Sequence, residues 1–255
     1  MRRILLGVWP IILFLAVWEA STRTFGIPPY ILPAPDRVIA KVFESPAVLA
    51  DNTVTSFVEI MAGFFGAAVG GFALGVAITY SRRLEQAFEP FLVVSQVIPK
   101  VALAPLFIIW FGTGLQPKII IAATIAFFPI LVNTILGLKA ADPEIVELMN
   151  SIAASRRQIF WRVRLPTSLP YVLPSLRVAA LLSVVGAMVG EFVGSDKGLG
   201  YLMIIGDVNL DTDLLFAALV IVTLIGLAIY WVIGLVEQKV VQRYGGGNGQ
   251  LIVTA

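Results

Sequence analysis

Apolar runs separated by short polar breaks organise this chain. Six runs reach membrane length, at about 4–22, 55–80, 88–111, 117–138, 169–193 and 212–236. A membrane-crossing helix needs about 20 largely apolar residues. None of the runs alternates as a barrel strand would, and unpaired backbone groups cannot face lipid, so each is predicted to be a helix. The expected fold is therefore an all-α integral membrane protein with six transmembrane helices, one domain over residues 1–255. The polar breaks fall at 23–54, at SRRLEQA (81–87), at Gly112-Thr113-Gly114, at 139–168 and at 194–211. In the first break, IPPYILPAPDRV carries four prolines, which disfavour a helix. Val38, Ile39, Val42 and Phe43 then recur at helical spacing and predict a short amphipathic helix on the outer surface. The glycine-rich stretch at about 244–255 is expected to be flexible.

Composition agrees with the pattern. Hydrophobic residues make up 58% of the 255 and charged ones 13%, against about half and a quarter in a soluble domain; the mean hydropathy is +0.93. With no cysteine and no histidine, thiol nucleophiles, zinc-thiolate sites, Ser-His hydrolases and HExxH metalloproteases are excluded. No Gly-Lys-Ser/Thr phosphate loop is present, so no nucleotide site is expected. Met1-Arg2-Arg3 before the first run resembles the start of a signal peptide. No small-x-small cleavage site closes that run, so it is read as a retained signal-anchor helix.

Lysine and arginine orient the spans. With the N-terminus in the cytoplasm, the inside segments hold eleven: Arg2, Arg3, Arg82, Arg83, Lys139, Arg156, Arg157, Arg162, Arg164, Lys239 and Arg243. The outside segments hold five: Arg23, Arg37, Lys41, Lys118 and Lys197. Both termini are thus expected in the cytoplasm of a multi-pass cell-membrane protein.

Polar residues within the spans are the candidate path. SQVIPKVALAPLFIIWFGTG, residues 95–114, places Ser95, Gln96 and Lys100 beside Pro99 and Pro105. Mid-helix proline kinks or breaks a helix, and freed carbonyls at membrane depth face protein or a water-filled cavity. A lysine there is costly and faces an aqueous route or snorkels. Ser95, Gln96, Pro99, Lys100, Asn133 and Glu191 are the candidate path residues, with structural kinking, and for Glu191 an outer-interface position, as the alternatives. Arg177 is expected to snorkel to the cytoplasmic headgroups. Gly66/Gly70 and Gly71/Gly75 are spaced for close helix approach, either within one subunit or between two.

The break between the fourth and fifth spans differs from the rest. ELMNSIAASRRQIFWRVRLPTSLP, residues 147–170, holds Arg156, Arg157, Arg162 and Arg164 and then Pro166 and Pro170. It can form a helix that starts near Pro143, with acids first and arginines last, as the helix dipole favours; the prolines are expected to limit it. Charge alone also fits a positive-inside loop. The spacing goes further. Glu147, then Ala153, then Val163, then Leu165-Pro166 resembles the cytoplasmic loop of permease subunits of binding-protein-dependent ABC importers. That loop reads Glu-Ala-Ala, three residues, Gly, nine residues, Ile, one residue, Leu-Pro. Leu148-Met149 replaces Ala-Ala, and Ala153 stands where glycine, with its wider backbone freedom, is expected. IPKVALAPLFIIWFGTG and FFPILVNTILGL resemble the nitrate, taurine, alkanesulfonate, thiamine-pyrimidine-precursor and riboflavin branch. The Pro-Lys-x-Ala-Leu-Ala-Pro-Leu wording resembles the vitamin and pyrimidine members most.

The resemblance implies a type I ABC importer permease fold and a non-enzymatic transport subunit without cofactor or bound metal. It implies two cytoplasmic ATP-binding subunits, a second permease copy in a homodimer, an extracytoplasmic solute-binding protein and surrounding lipid, and no nucleic acid. The segment at about 142–166 would be the coupling helix, with Glu147, Ala153, Arg156, Arg157, Val163, Leu165 and Pro166 meeting the ATPase. The implied cargo is a vitamin or heteroaromatic precursor, or else nitrate, taurine or an alkanesulfonate. A stand-alone secondary transporter would carry internal repeats, and none is evident.

Overall fold

The computed structural model describes residues 2–244, apart from the side chains of residues 2–8, Ile11, Gln96 and 241–244. The glycine-rich stretch expected to be flexible lies outside them but for Tyr244. Every regular element is helical. They run α1 (Arg2–Thr24), α2 (Pro35–Glu44), α3 (Pro46–Tyr80), α4 (Arg82–Val97), a 3₁₀ turn (Lys100–Leu103), α5 (Ala104–Phe111), α6 (Leu115–Lys139), α7 (Pro143–Ser151), α8 (Arg156–Ile159), a π-helical turn (Phe160–Arg164), α9 (Leu165–Gly194), α10 (Leu199–Val208) and α11 (Thr212–Tyr244). Among the described residues, four helices are long and apolar enough to cross a membrane: α3, α6, the continuous run Arg156–Gly194, and Thr212–Val240 of α11. A fifth apolar unit is bent by 93° between Arg82–Ser95 and Lys100–Phe111.

The core is the packing of α3, α6 and α9, and it centres on Ala122. A Cβ built on Gly63 of α3 would lie 2.5 Å from the Ala122 Cβ, and one on Gly186 of α9 would lie 2.6 Å from the Ala122 Cα. Three backbones therefore meet where only hydrogen and methyl fit, which is how small residues let membrane helices pack closely. Gly71 and Gly75 meet α6 in the same way, at Phe127–Ile130 and at Leu131 and Thr134, whereas Gly66 is exposed. Close packing within the subunit thus accounts for one of the two glycine pairs.

Three expectations are corrected. The helix that carries the second apolar run begins at Pro46, not 55, because Pro46 takes the first-turn position that suits its missing N–H. The short helix expected around Val38 and Val42 is Pro35–Glu44. The 194–211 break contains the ten-residue apolar helix α10. The 143–170 stretch is not one helix, and Pro166 and Pro170 do not end it. The chain breaks at Ile152–Ser155 instead and then runs helically to Gly194. Pro166 would clash with the Arg162 carbonyl in a regular helix. The preceding turn widens, Leu165 N–H bonding back to the Phe160 carbonyl, and the helix passes the proline without stopping.

Arg177 also departs from expectation. Its Nη1 lies 3.1 Å from Glu237 Oε2 and its guanidinium lies over the Tyr230 ring at 4.0 Å, so α11 holds it inside the fold rather than releasing it to the headgroups.

Candidate functional site

Three polar regions stand out along the bundle. At one end, α7 and α8 follow α6. Asp142 caps α7, its side chain accepting the Glu144 N–H at 2.8 Å, with Pro143 in the first turn. α7 closes with Ala154 N–H on the Met149 carbonyl and Ala153 N–H on the Asn150 carbonyl, both at 3.0 Å. This Schellman pattern puts Ala153 in the left-handed region at φ 56°. Ala153 thus occupies a true turn position, at the cost of steric strain that glycine would not carry. Ser155 then caps α8 through a capping box with Gln158.

Glu147, Ala153, Arg156 and Arg157 are exposed, while Val163, Leu165 and Pro166 are half-buried in the turns beneath. Charge pattern alone overlooked a second feature. Ile145 (48% exposed), Leu148 (63%) and Ile152 (67%) occupy i, i+3 and i+7 and form an uncovered apolar stripe on and just beyond α7. Trp161, 58% exposed, lies on the turn after α8. The helical spacing of the stripe was available in the sequence. Behind α7, a cavity of about 380 Å³ is lined by Leu138, Lys139, Ala141, Pro143, Val146, Glu147, Asn150 and Arg164.

The second region is midway along α6. A cavity of about 410 Å³ is lined by Lys100, Ile125, Phe128, Pro129, Val132, Asn133 and Leu182. Lys100 Nζ lies 4.7 Å above the Phe128 ring. Asn133 Nδ2 donates to the Pro129 carbonyl at 2.8 Å. Pro99 sits at the break before the 3₁₀ turn, as its missing N–H favours. The structure therefore brings Lys100 and Asn133 together. Ser95 is buried and donates to the Leu92 carbonyl at 2.8 Å, outside the cavity lining. The Gln96 side chain is not among those described.

The third region lies at the opposite end from α7, and Glu191 belongs to it rather than to the cavity. Glu191 is 1% exposed, so a solvated interface position is ruled out. Its carboxylate accepts Ser56 Oγ–H at 2.5 Å and the Gly200 and Tyr201 N–H groups at 2.5 and 3.4 Å. Asn52 Oδ1 accepts the Gly198 N–H, and Ser56 Oγ accepts the Leu199 N–H. The first turn of α10 is thereby bound to α3 and α9, with Glu191 at the positive end of its dipole. Gly198, at φ 114°, has no room for a Cβ, which would lie 2.2 Å from Glu191 Oε2.

One turn on from Ser56, Glu59 is fully buried, and Lys118 Nζ lies 3.0 Å from its Oε1. No well-aligned hydrogen bond reaches either Glu59 oxygen, so the ammonium charge is what holds this carboxylate. Lys118 also donates to Ser195 Oγ at 2.6 Å. Lys118 is therefore not an outer-loop charge, and sequence reasoning missed both it and Glu59. An acid and a base, each within an apolar run, were the available signal.

Residues 66–242 match the family described as binding-protein-dependent transport system inner membrane component. The chain belongs to that family. It is 36% identical to the formylaminopyrimidine transport permease protein ThiX of Halalkalibacterium halodurans, over 89% of this chain and 92% of the relative. It is 38% identical to the riboflavin transport system permease protein RibX of Chloroflexus aurantiacus, over 91% and 87%. The taurine transport system permease protein TauC of Escherichia coli is 27% identical over 88% and 84%. A chain of the MetNI methionine ABC transporter, solved in an inward-facing conformation, superposes with TM-score 0.66 at 20% identity, over 76% of this chain and 96% of that one. The fold is the type I ABC importer permease fold. The protein is a membrane permease of an ABC importer and not an enzyme.

Proposed function

We propose that this chain forms the solute path of an importer for a vitamin or heteroaromatic precursor, driven through α7 by two cytoplasmic ATP-binding subunits. The observation that carries the coupling role is the uncovered stripe Ile145, Leu148 and Ile152 beside Glu147, Arg156 and Arg157. An amphipathic helix with anchors at i, i+3 and i+7 is the form that lies in a groove on a partner. Ala153 sets the turn, and Val163, Leu165 and Pro166 carry the motion into α9. Nucleotide then shifts the population between two packings of the spans, by as much as the docked ATPase distinguishes them.

α1 and the bent α4–α5 unit complete six spans in this reading, with both termini cytoplasmic. Lys118 drops out of the outer tally because Glu59 pairs with it, so the basic bias toward the α7 end grows. A second copy of the chain pairs with the first, and an extracytoplasmic binding protein delivers the solute. Lys100 and Asn133 line its route, with Ser95, Gln96 and Pro99 at the break beside it. Glu191 is kept as a structural brace. The identity to the formylaminopyrimidine and riboflavin permeases favours a ring-bearing cargo; the taurine relative keeps sulfonates, and with them nitrate, as the alternative.

Leu148→Glu tests the coupling role. The tagged ATPase should no longer copurify with the permease and uptake should stop, while membrane insertion persists. Normal copurification and uptake would sink it. Because the chain lacks cysteine, a Ser195→Cys variant reports topology, and labelling only from the cytoplasm would invert the orientation.

A further inference from the structure

The cavity midway along α6 has a definite chemistry. Lys100 supplies an ammonium group with no acid paired to it among the described residues. Phe128 supplies an aromatic face 4.7 Å from that charge. Asn133 spends one amide proton on the Pro129 carbonyl and keeps a second N–H and its carbonyl oxygen. The rest of the lining, Ile125, Val132 and Leu182, is apolar. With no carboxylate in the lining, nothing would compensate a buried cation. A small oxyanion needs several donors to offset its desolvation, and one ammonium and one N–H are few. A flat heterocycle gains from the apolar walls over its faces and presents acceptors and donors at its edge. A pocket in which apolar walls meet a few convergent polar groups is the usual form of such a site.

We infer that this cavity is a transit subsite for a planar, uncharged or weakly anionic heteroaromatic solute, with Lys100 on a ring acceptor, Asn133 on an amide-like edge and the ring against Phe128. The inference rests on the reading of the chain as a solute path for a ring compound and adds the residues that hold and select the ring.

The test uses the complete transporter, with ATP-binding subunits and binding protein, in proteoliposomes, and four probes: riboflavin, formylaminopyrimidine, taurine and nitrate. One of the two ring compounds should be taken up. Losing a charge-assisted hydrogen bond in K100M should raise its KM about tenfold or more. K100R should restore most of that, and F128L and N133L should each raise KM by a smaller factor. If K100M fails to assemble, F128L and N133L carry the same test. Ring uptake with wild-type KM in all the variants overturns the subsite while leaving the permease reading intact. Uptake of taurine or nitrate without either ring compound overturns the solute class and again leaves the permease reading. Uptake of none of the four, with ATP hydrolysis unresponsive to binding protein, overturns both.

Discussion

Lys118 and Lys139 lie near opposite ends of α6, and each pairs with a glutamate. The Lys118 and Glu59 side chains are 2% and 0% exposed, those of Lys139 and Glu85 44% and 39%. The same chemistry does different things in the two places. At the α10 end, Glu59, Lys118 and Glu191 face inward and hold α3, α6, α9 and α10 together. At the α7 end, Glu147, Arg156 and Arg157 face outward beside an apolar stripe that nothing among the described residues covers. Internal pairing marks a part built to stay together. Outward charge beside exposed leucine and isoleucine marks one built to meet something else.

The largest effect should come from unpairing the buried end. Lys118→Met leaves Glu59 buried without its ammonium partner and with Glu191 close by, and breaking such a pair costs about 3–5 kcal/mol. The variant should lose much of its thermal stability in detergent, and adding Glu59→Gln should recover a large part. Equal melting of Lys118→Met and wild type would show that water already reaches the pair. Next, Gly198→Ala combines a left-handed backbone with a clash on Glu191, whereas Gly112 has φ 80° and open space around it. Backbone strain of about 1–3 kcal/mol applies to both, so Gly198→Ala should be the worse by a clear margin. Similar melting temperatures for the two would remove the brace from the argument.

The outward end should behave oppositely. Arg156→Glu with Arg157→Glu should change stability by no more than about 0.5 kcal/mol. Capture of the ATPase should fall by about 2 kcal/mol or more if either arginine is an interface anchor. Wild-type copurification and uptake would return this end to a positive-inside loop.

How much of this was legible beforehand follows from what each feature depends on. Hydropathy is a local property, so the four long apolar helices could be read, as could the break at Pro99. The Glu147–Pro166 spacing could be read because a loop motif is local too. Glu59 and Lys118 are 59 positions apart, and only tertiary contact turns two unwelcome charges into one pair. Pro166 misled because a proline normally stops a helix; the widened turn before it is a backbone adjustment that no residue type announces. Ala153 lay between these cases. The motif located it and the Schellman bonds explained it. Ala153→Gly should therefore relieve about 1 kcal/mol of left-handed strain and leave ATPase capture unchanged, whereas no gain in stability would mean that the turn relaxes away from φ 56°.

The smallest effect asks whether burial or location makes the two ends differ. Lys41 and Asp211 lie at the α10 end, yet their side chains are 21% and 33% exposed, with Nζ 2.6 Å from Oδ2. Burial by itself would raise the Asp211 carboxyl. The Lys41 hydrogen bond, the Leu214 N–H and the nearby positive charges outweigh it and hold the group below its ordinary value. A carboxyl with a depressed folded-state pKa adds stability above its unfolded value of about 3.9. That stability is lost as the pH falls through the folded-state value. So this pair should contribute a constant amount from pH 7 to about 5 and fade only below about 4. For a partly exposed pair the amount should not exceed about 1 kcal/mol. Asp211→Asn separates charge from capping, because asparagine caps the start of α11 as well as aspartate does while giving up the ion pair. Its melting temperature should lie slightly below wild type at pH 7 and converge with it at the acidic limit. Lys41→Met should match it and add little in the double variant. If Asp211→Asn instead costs as much as Lys118→Met, the α10 end is rigid by position rather than by burial, and the contrast between the two lysines of α6 loses its physical basis.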